Sequence, residues 1–148
     1  LCVHAVHVDT EEIRILAGEG GKICLCPGSN RFLQVGKAPV PQYLAAGLLP
    51  AIGTDSIASN PQLSMWREMA LIAEDHPSID AATIFAMATR GGAEALGLER
   101  DLGTLAPGKE ADLLVVAVPE EIAAPEQLMH YLVSTGAEIQ PQRILARG

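Results

Sequence analysis

The chain has 148 residues, 49% of them hydrophobic, and a formal net charge of −8 from ten Lys and Arg against eighteen Asp and Glu. It is long enough for one domain with a core, too apolar to stay disordered, and lacks the basic patch that nucleic acid requires. Its apolar runs fall short of the roughly 18 residues of a membrane span. Neither nucleic acid nor a membrane is therefore expected as a partner. The cysteines, Cys2, Cys24 and Cys26, are odd in number, which fits reduced thiols in the cytoplasm. The chain opens on Leu1-Cys2-Val3-His4 with no Met and no polar lead-in. It is expected to be the C-terminal part of a longer protein whose N-terminal half is missing.

In chain order, residues 1–8 read as a buried strand with His4 near its carboxyl end and His7 just beyond. Asp9 or Thr10 can cap a short helix. Its Ile13, Leu16 and Ala17 share one face, and Gly18 with Gly20-Gly21 stops it. Lys22 to Cys26 is a second strand, ended by Pro27-Gly28 and followed by a polar loop through Ser29, Asn30 and Arg31. Val40 to Ala46 is a short helix, and Leu48 to Thr54 a third strand. Pro61 to Glu74 is a longer helix with Leu63, Trp66, Met69, Ala70 and Ile72-Ala73 turned inward. Asp80 caps a helix from Ala81 to Thr89, and Ala93 to Leu96 resumes it after a break at Gly91-Gly92.

Strand and helix thus alternate, and the strands show almost no polar alternation, as expected when both faces are covered. The class is α/β. Three units cannot close a barrel of eight strands, so the chain is a small open sheet or part of a barrel. Past residue 100 the texture changes. Residues 103–110 are turn-rich, Ala111 to Val118 is a strand, Pro119 to Pro125 a loop, Glu126 to Val133 a helix, and the tail to Ile144-Leu145 a strand.

Function turns on Ala51-Ile52-Gly53-Thr54-Asp55. A carboxylate just past a strand's carboxyl end sits where α/β folds build sites, although Asp55 also reads as a helix cap. His4 ends another strand, and Ser29 and Asn30 follow a third. One His, one Asp and neutral polar groups at a common rim suit hydrolysis: the Asp binds a metal or takes a proton, and the His polarises substrate or orients water. Taken singly, His4 reads as a core histidine, His7 as a helix-entry residue, and His76 and His130 as structural. Catalytic zinc takes three protein ligands. The sequence has no His-x-His and no Cys-x-x-Cys, so a metal centre must be completed from outside the chain. Cys24-x-Cys26 reads as core packing rather than a thiolate pair.

Taken together, four segments resemble the amidohydrolase superfamily in its nucleobase-deaminase and chlorohydrolase branch. They are His4-Ala5-Val6-His7-Val8, Cys26-Pro27-Gly28-Ser29-Asn30, Gly53-Thr54-Asp55-Ser56-Ile57-Ala58-Ser59-Asn60, and the run from Gly103-Thr104-Leu105 through Gly108-Lys109 to Ala111-Asp112-Leu113. The resemblance implies that residues 1–102 are the last strand–helix units of a (β/α)8 metal-dependent hydrolase barrel. Residues 103–148 would be the C-terminal part of a flanking β-sandwich. It implies a divalent metal, zinc or iron, with Asp55 as the one ligand in this chain. Asp55 would also accept the proton of the attacking water, and His4 would hydrogen-bond the developing tetrahedral centre. Ser29, Asn30 and Ser56 line the same rim, with His4, Asn30 and Ser56 placed to touch substrate. The family's remaining metal ligands and its proton-shuttling glutamate lie outside the chain.

Leu25 stands where many relatives carry a His before Cys-Pro, which leaves the substrate open among adenosyl compounds, guanine and chlorinated triazines. Hydrolytic deamination of an adenosine-like purine is the favoured reading, with guanine deamination or chlorohydrolysis as alternatives. Two other readings stand beside it: a non-catalytic α/β interaction module, and an incomplete barrel that associates with a partner or a second copy through open strand edges. By itself the chain is expected to be catalytically inert.

Overall fold

The structure, a computed structural model, describes residues 1–135 and 139–146. Three parallel strands, β1 (Cys2–Val3), β2 (Ile23–Leu25) and β3 (Ala51–Ile52), lie side by side in chain order. Val3 and Ala51 both face Cys24 across the sheet, and Leu25 faces Ile52. Because side chains alternate along a strand, Ile23, Leu25 and Ile52 share one face, and all three are buried.

Helices cover that face. α1 (Thr10–Gly18) starts at a reciprocal cap, Asp9 accepting from the Glu12 amide and Glu12 from the Asp9 amide, both at 2.8 Å. α2 (Pro27–Leu33) and α3 (Val40–Ala45) fill the second crossover. Ser64 caps α4 (Met65–Asp75), and Asp80 caps α5 (Ala81–Ala86). α5 runs through a π turn, Met87–Gly91, into α6 (Gly92–Leu96). Ile13, Tyr43, Ile72, Ile84, Met87 and Val133 join the sheet face in one core. Val133 comes from α7 (Pro125–Ser134), which packs on α4 and α5. A separate antiparallel pair, β4 (Leu113–Val116) and β5 (Pro141–Leu145), aligns Leu113 with Leu145. Among the described residues no helix is long and apolar enough to cross a membrane.

Several sequence expectations need correcting. The first strand is two residues long and not buried: Leu1 is 64% and Val3 49% exposed, because β1 is an edge with a neighbour on one side only. Ser29, Asn30 and Arg31 lie in α2 rather than a loop. Pro27, read as a strand stop, is the first helical residue, where its missing N–H has no partner to lose. The fourth helix begins at Met65, not Pro61, and Leu63 ahead of its cap is exposed. No break separates α5 from α6. A Cβ on Gly91 would lie 2.6 Å from the Pro50 carbonyl oxygen, so the glycine serves close helix-to-strand approach. The strand expected over 111–118 is trimmed to β4. Residues 136–138 of the tail lie outside the described residues.

Candidate active site

β1 delivers His4. The His4 amide continues the sheet by donating to the Cys24 carbonyl at 2.9 Å, and the backbone then turns sharply, with φ of 66° at His4 and 45° at Ala5. Left-handed backbone costs a non-glycine residue about 1–2 kcal/mol, so it persists only where neighbours over-determine it. Here the Ala5 amide closes on the Val3 carbonyl at 2.8 Å, and the Tyr43 hydroxyl, fully buried, donates to the Ala5 carbonyl. The imidazole is fixed as well. Its Nδ1 lies 2.9 Å from Oδ1 of Asn30, a buried residue on α2. That contact orients the ring and turns Nε2 toward Asp55 Oδ2, 3.7 Å away.

β3 delivers Asp55. The Gly53 amide donates to the Leu25 carbonyl at 2.8 Å. A Cβ on Gly53 would stand 2.8 Å from Cys24 Sγ and 3.6 Å from Cys26 Sγ, so the glycine leaves room for the thiol of Cys24 in β2 and that of Cys26 just after it. Asp55 is itself left-handed, at φ 61°. Its Oδ2 accepts from Ser29 Oγ at 2.6 Å and Ser59 Oγ at 3.2 Å, and its Oδ1 from the Ser56 amide at 2.7 Å. The Ser29 hydroxyl, then the Ser56 amide, and to a smaller degree Ser59 and the His4 ring hold the Asp55 carboxyl below the usual carboxylate range. The side chain remains 30% exposed, so the result is an ionised carboxylate with an open edge beside an oriented imidazole.

His4, Asn30, Ser29 and Asp55 therefore meet at one point, and Ser56 contributes its backbone amide. His7 stays exposed outside the cluster, His76 caps the end of α4, and His130 lies on α7. Cys26 is buried and Cys24 half-buried on the sheet face beside Gly53. Behind Asp55 lies a buried layer of Ser59, Asn60 and Glu68. The first two stand in the Gly53–Asn60 motif with no role of their own there, and Glu68 is missed by the sequence reading. One signal was present: Glu68 occupies the apolar stripe that carries Met65, Met69 and Ile72, where a charge is out of place.

The family model described as the amidohydrolase family matches residues 1–140. The chain belongs to the amidohydrolase family. This amidohydrolase chain is 47% identical over 123 residues to a 5-methylthioadenosine/S-adenosylhomocysteine deaminase of Moorella thermoacetica, covering 78% of this chain and 29% of that protein. An adenosine deaminase structure from Xanthomonas campestris with bound zinc superposes with a TM-score of 0.85 at 32% identity, over 99% of this chain and 35% of that one. Atrazine chlorohydrolase TrzN from Arthrobacter aurescens TC1, complexed with zinc, gives a TM-score of 0.81 at 27% identity, over 99% and 34%. The chain thus spans about a third of the length of the relatives it matches. Its three parallel β/α units are part of a (β/α)8 barrel, as the sequence led us to expect.

Among the described residues, no group of three or more His, Cys, Asp or Glu converges to hold a metal ion. The residues present nonetheless suit one share of such a site. Asp55 is an ionised, part-exposed carboxylate, and His4 presents a nitrogen whose partner atom is already engaged by Asn30.

Proposed function

We propose that this amidohydrolase chain is the C-terminal portion of a divalent metal-dependent enzyme that hydrolytically deaminates an adenosine-like purine. The observation that carries the reading is the approach of His4 Nε2 to Asp55 Oδ2 at 3.7 Å, from separate strand ends and both on left-handed backbone. Deamination is favoured over dechlorination by identity, 47% to the deaminase against 27% to the chlorohydrolase. Residues 1–102 supply barrel units and residues 103–148 part of the flanking sandwich. The three free cysteines fit a reducing, cytoplasmic setting.

Asp55 would be this chain's ligand to the metal, zinc first and iron second. When bound, such an ion supplies Lewis acidity that brings the pKa of water near 7. Asp55 takes the proton of the attacking water. Oxygen adds to the ring carbon bearing the amino group as that carbon's C=N electron pair moves to the ring nitrogen, which takes one of the two protons of water. The bond to the amino group then breaks as C=O forms, and the amine leaves as ammonia with the other proton. His4, held by Asn30, would hydrogen-bond the tetrahedral centre formed at that carbon. Asn30 and Ser56 stand at the same rim, where substrate would lie.

The test is ammonia release by the full-length protein from methylthioadenosine, S-adenosylhomocysteine, adenosine and guanine, with chloride release from a chlorinated triazine run alongside. Metal content is measured in parallel. Asp55→Ala should lower purine deamination by at least about 1,000-fold. Undiminished turnover in that variant would refute the reading, and chloride release without ammonia would move the protein to the chlorohydrolases. The 148-residue chain alone should be inactive, and its open β1 and β3 edges should make it associate on size exclusion.

A further inference from the structure

Behind Asp55 lies a second carboxylate that the reaction above does not use. Glu68, near the start of α4, is fully buried. Its Oε2 accepts from the Gly28 amide at 2.7 Å and its Oε1 from Asn60 Nδ2 at 2.8 Å. The nearest cation, Arg67 Nη1, stands 4.0 Å away. Burying a carboxylate on two amide donors gains little stability over an apolar residue of the same volume, so its use lies elsewhere.

The connections indicate that use. Gly28 immediately precedes Ser29, which donates to Asp55 Oδ2. Asn60 immediately follows Ser59, the second hydroxyl on that oxygen. The same Asn60 Nδ2 also reaches the carbonyl of Thr54, one residue before Asp55, at 2.8 Å. One buried side chain thus ties the start of α2 to the loop after β3, the two segments that must stay in register for Ser29 to meet Asp55. The fit is close: a Cβ on Gly28 would come within 2.4 Å of Glu68 Oε1 and 2.9 Å of Asn60 Nδ2.

We propose that Glu68 is a positioning residue. Through Gly28 and Asn60 it holds Ser29 against Asp55, and so sets how tightly Asp55 can grip a divalent metal. This rests on reading Asp55 as a metal ligand.

The experiment measures zinc affinity of the full-length protein by competition with a chromophoric chelator, for wild type, Glu68→Gln, Ser29→Ala and the double variant. Thermal melts confirm that each is folded. A glutamine must turn its NH2 toward one of the two donors that Glu68 accepts from, so one hydrogen bond is lost and the register loosens. Glu68→Gln should weaken zinc binding about 10- to 100-fold. The double variant should lose less than the product of the two single losses, since both act on one contact. Wild-type affinity in folded Glu68→Gln, or fully multiplicative losses, would overturn the proposal. If Glu68→Gln does not fold, Gly28→Ala displaces the same carboxylate without removing its charge and should give the same loss. A metal-free readout separates this inference from the reading it rests on. Exchange of the Ser56 amide, bonded to Asp55 Oδ1, should accelerate in Glu68→Gln even if the wild-type protein holds no zinc. Unchanged exchange there sinks the clamp, whereas absence of zinc in the wild type sinks only the reading of Asp55.

Discussion

Asn30 Oδ1 lies 2.9 Å from His4 Nδ1, so a buried carboxamide decides which nitrogen of a strand-end histidine faces its aspartate. Removing that acceptor frees the ring to rotate and to exchange tautomers. In the full-length protein, Asn30→Ala should therefore lower kcat for ammonia release about 10- to 100-fold. Asn30→Asp keeps an acceptor opposite Nδ1 and should recover part of that rate. Steady-state kinetics on both variants make the check, and equal losses in the two would contradict an orienting role.

Gln34 offers a separate test of backbone strain, away from the site. It terminates α2 in left-handed conformation, at φ 57°, and is exposed. The conformation costs about 1–2 kcal/mol in a non-glycine residue, while glycine loses about 0.5–1 kcal/mol in unfolded-state entropy. Gln34→Gly should thus stabilise the protein by about 0.5–1 kcal/mol, read as an upward shift of the thermal midpoint.

How far the sequence disclosed this arrangement depends on the kind of signal. The central strands were visible because apolar runs ending at Pro27 and Gly53 leave few alternatives, and the caps at Asp9 and Asp80 because side chain and spacing together specify them. His4 and Asp55 were legible as strand-end residues. Their left-handed backbone was not, since neither residue type demands it: Tyr43 holds the turn after His4 through the Ala5 carbonyl, and Ser29, Ser56 and Ser59 hold Asp55. At Ser29 and Asn30 the preceding Pro-Gly signals a loop by its usual role as punctuation, although proline at a helix start does the opposite. Glu68 left only a weak trace, a single charge in the apolar stripe of α4, and its partners Gly28 and Asn60 come from distant segments that no local pattern links to it.

Asp75 joins segments that are distant in sequence. Its Oδ1 pairs with Arg31 at 2.8 Å and Lys37 at 2.9 Å, and its side chain is 8% exposed. Burial pushes the Asp75 carboxyl up, but Lys37 and Arg31 outweigh it and hold it below the usual range. A carboxyl depressed in the folded state adds stability above its unfolded pKa of about 4 and loses it as pH falls through the lower folded value. Asp75→Asn should therefore destabilise by about 1–2 kcal/mol at pH 7, and the gap from wild type should narrow below about pH 4. Urea unfolding at pH 7, 5 and 3 measures it.

Two glycines should respond differently to alanine. At Gly53 the new methyl would meet Cys24 Sγ at 2.8 Å, a side chain that can be cut back. At Gly91 it would meet the Pro50 carbonyl oxygen at 2.6 Å, which is backbone. Both substitutions should destabilise by about 1–3 kcal/mol or more. Cys24→Ala should rescue Gly53→Ala, whereas side-chain trimming has nothing to offer Gly91→Ala. Chemical denaturation of the single and double variants separates the two.

The π turn at Met87–Gly91 has a consequence for length variation in this region. A π turn holds one residue more than the α-turn it replaces. Deleting a single residue there would leave an unbroken α-helix of ordinary propensity. Because the wide turn is what absorbs the extra residue, the helix beyond it would keep its phase, whereas a deletion inside α5 would rotate everything downstream by about 100°, carrying Gly91 off the Pro50 carbonyl and Ala93 out of its buried seat. The length of α5 is consequently tied to the position of β3, so a one-residue change is better accommodated at the π turn itself or in the exposed turns after Leu98.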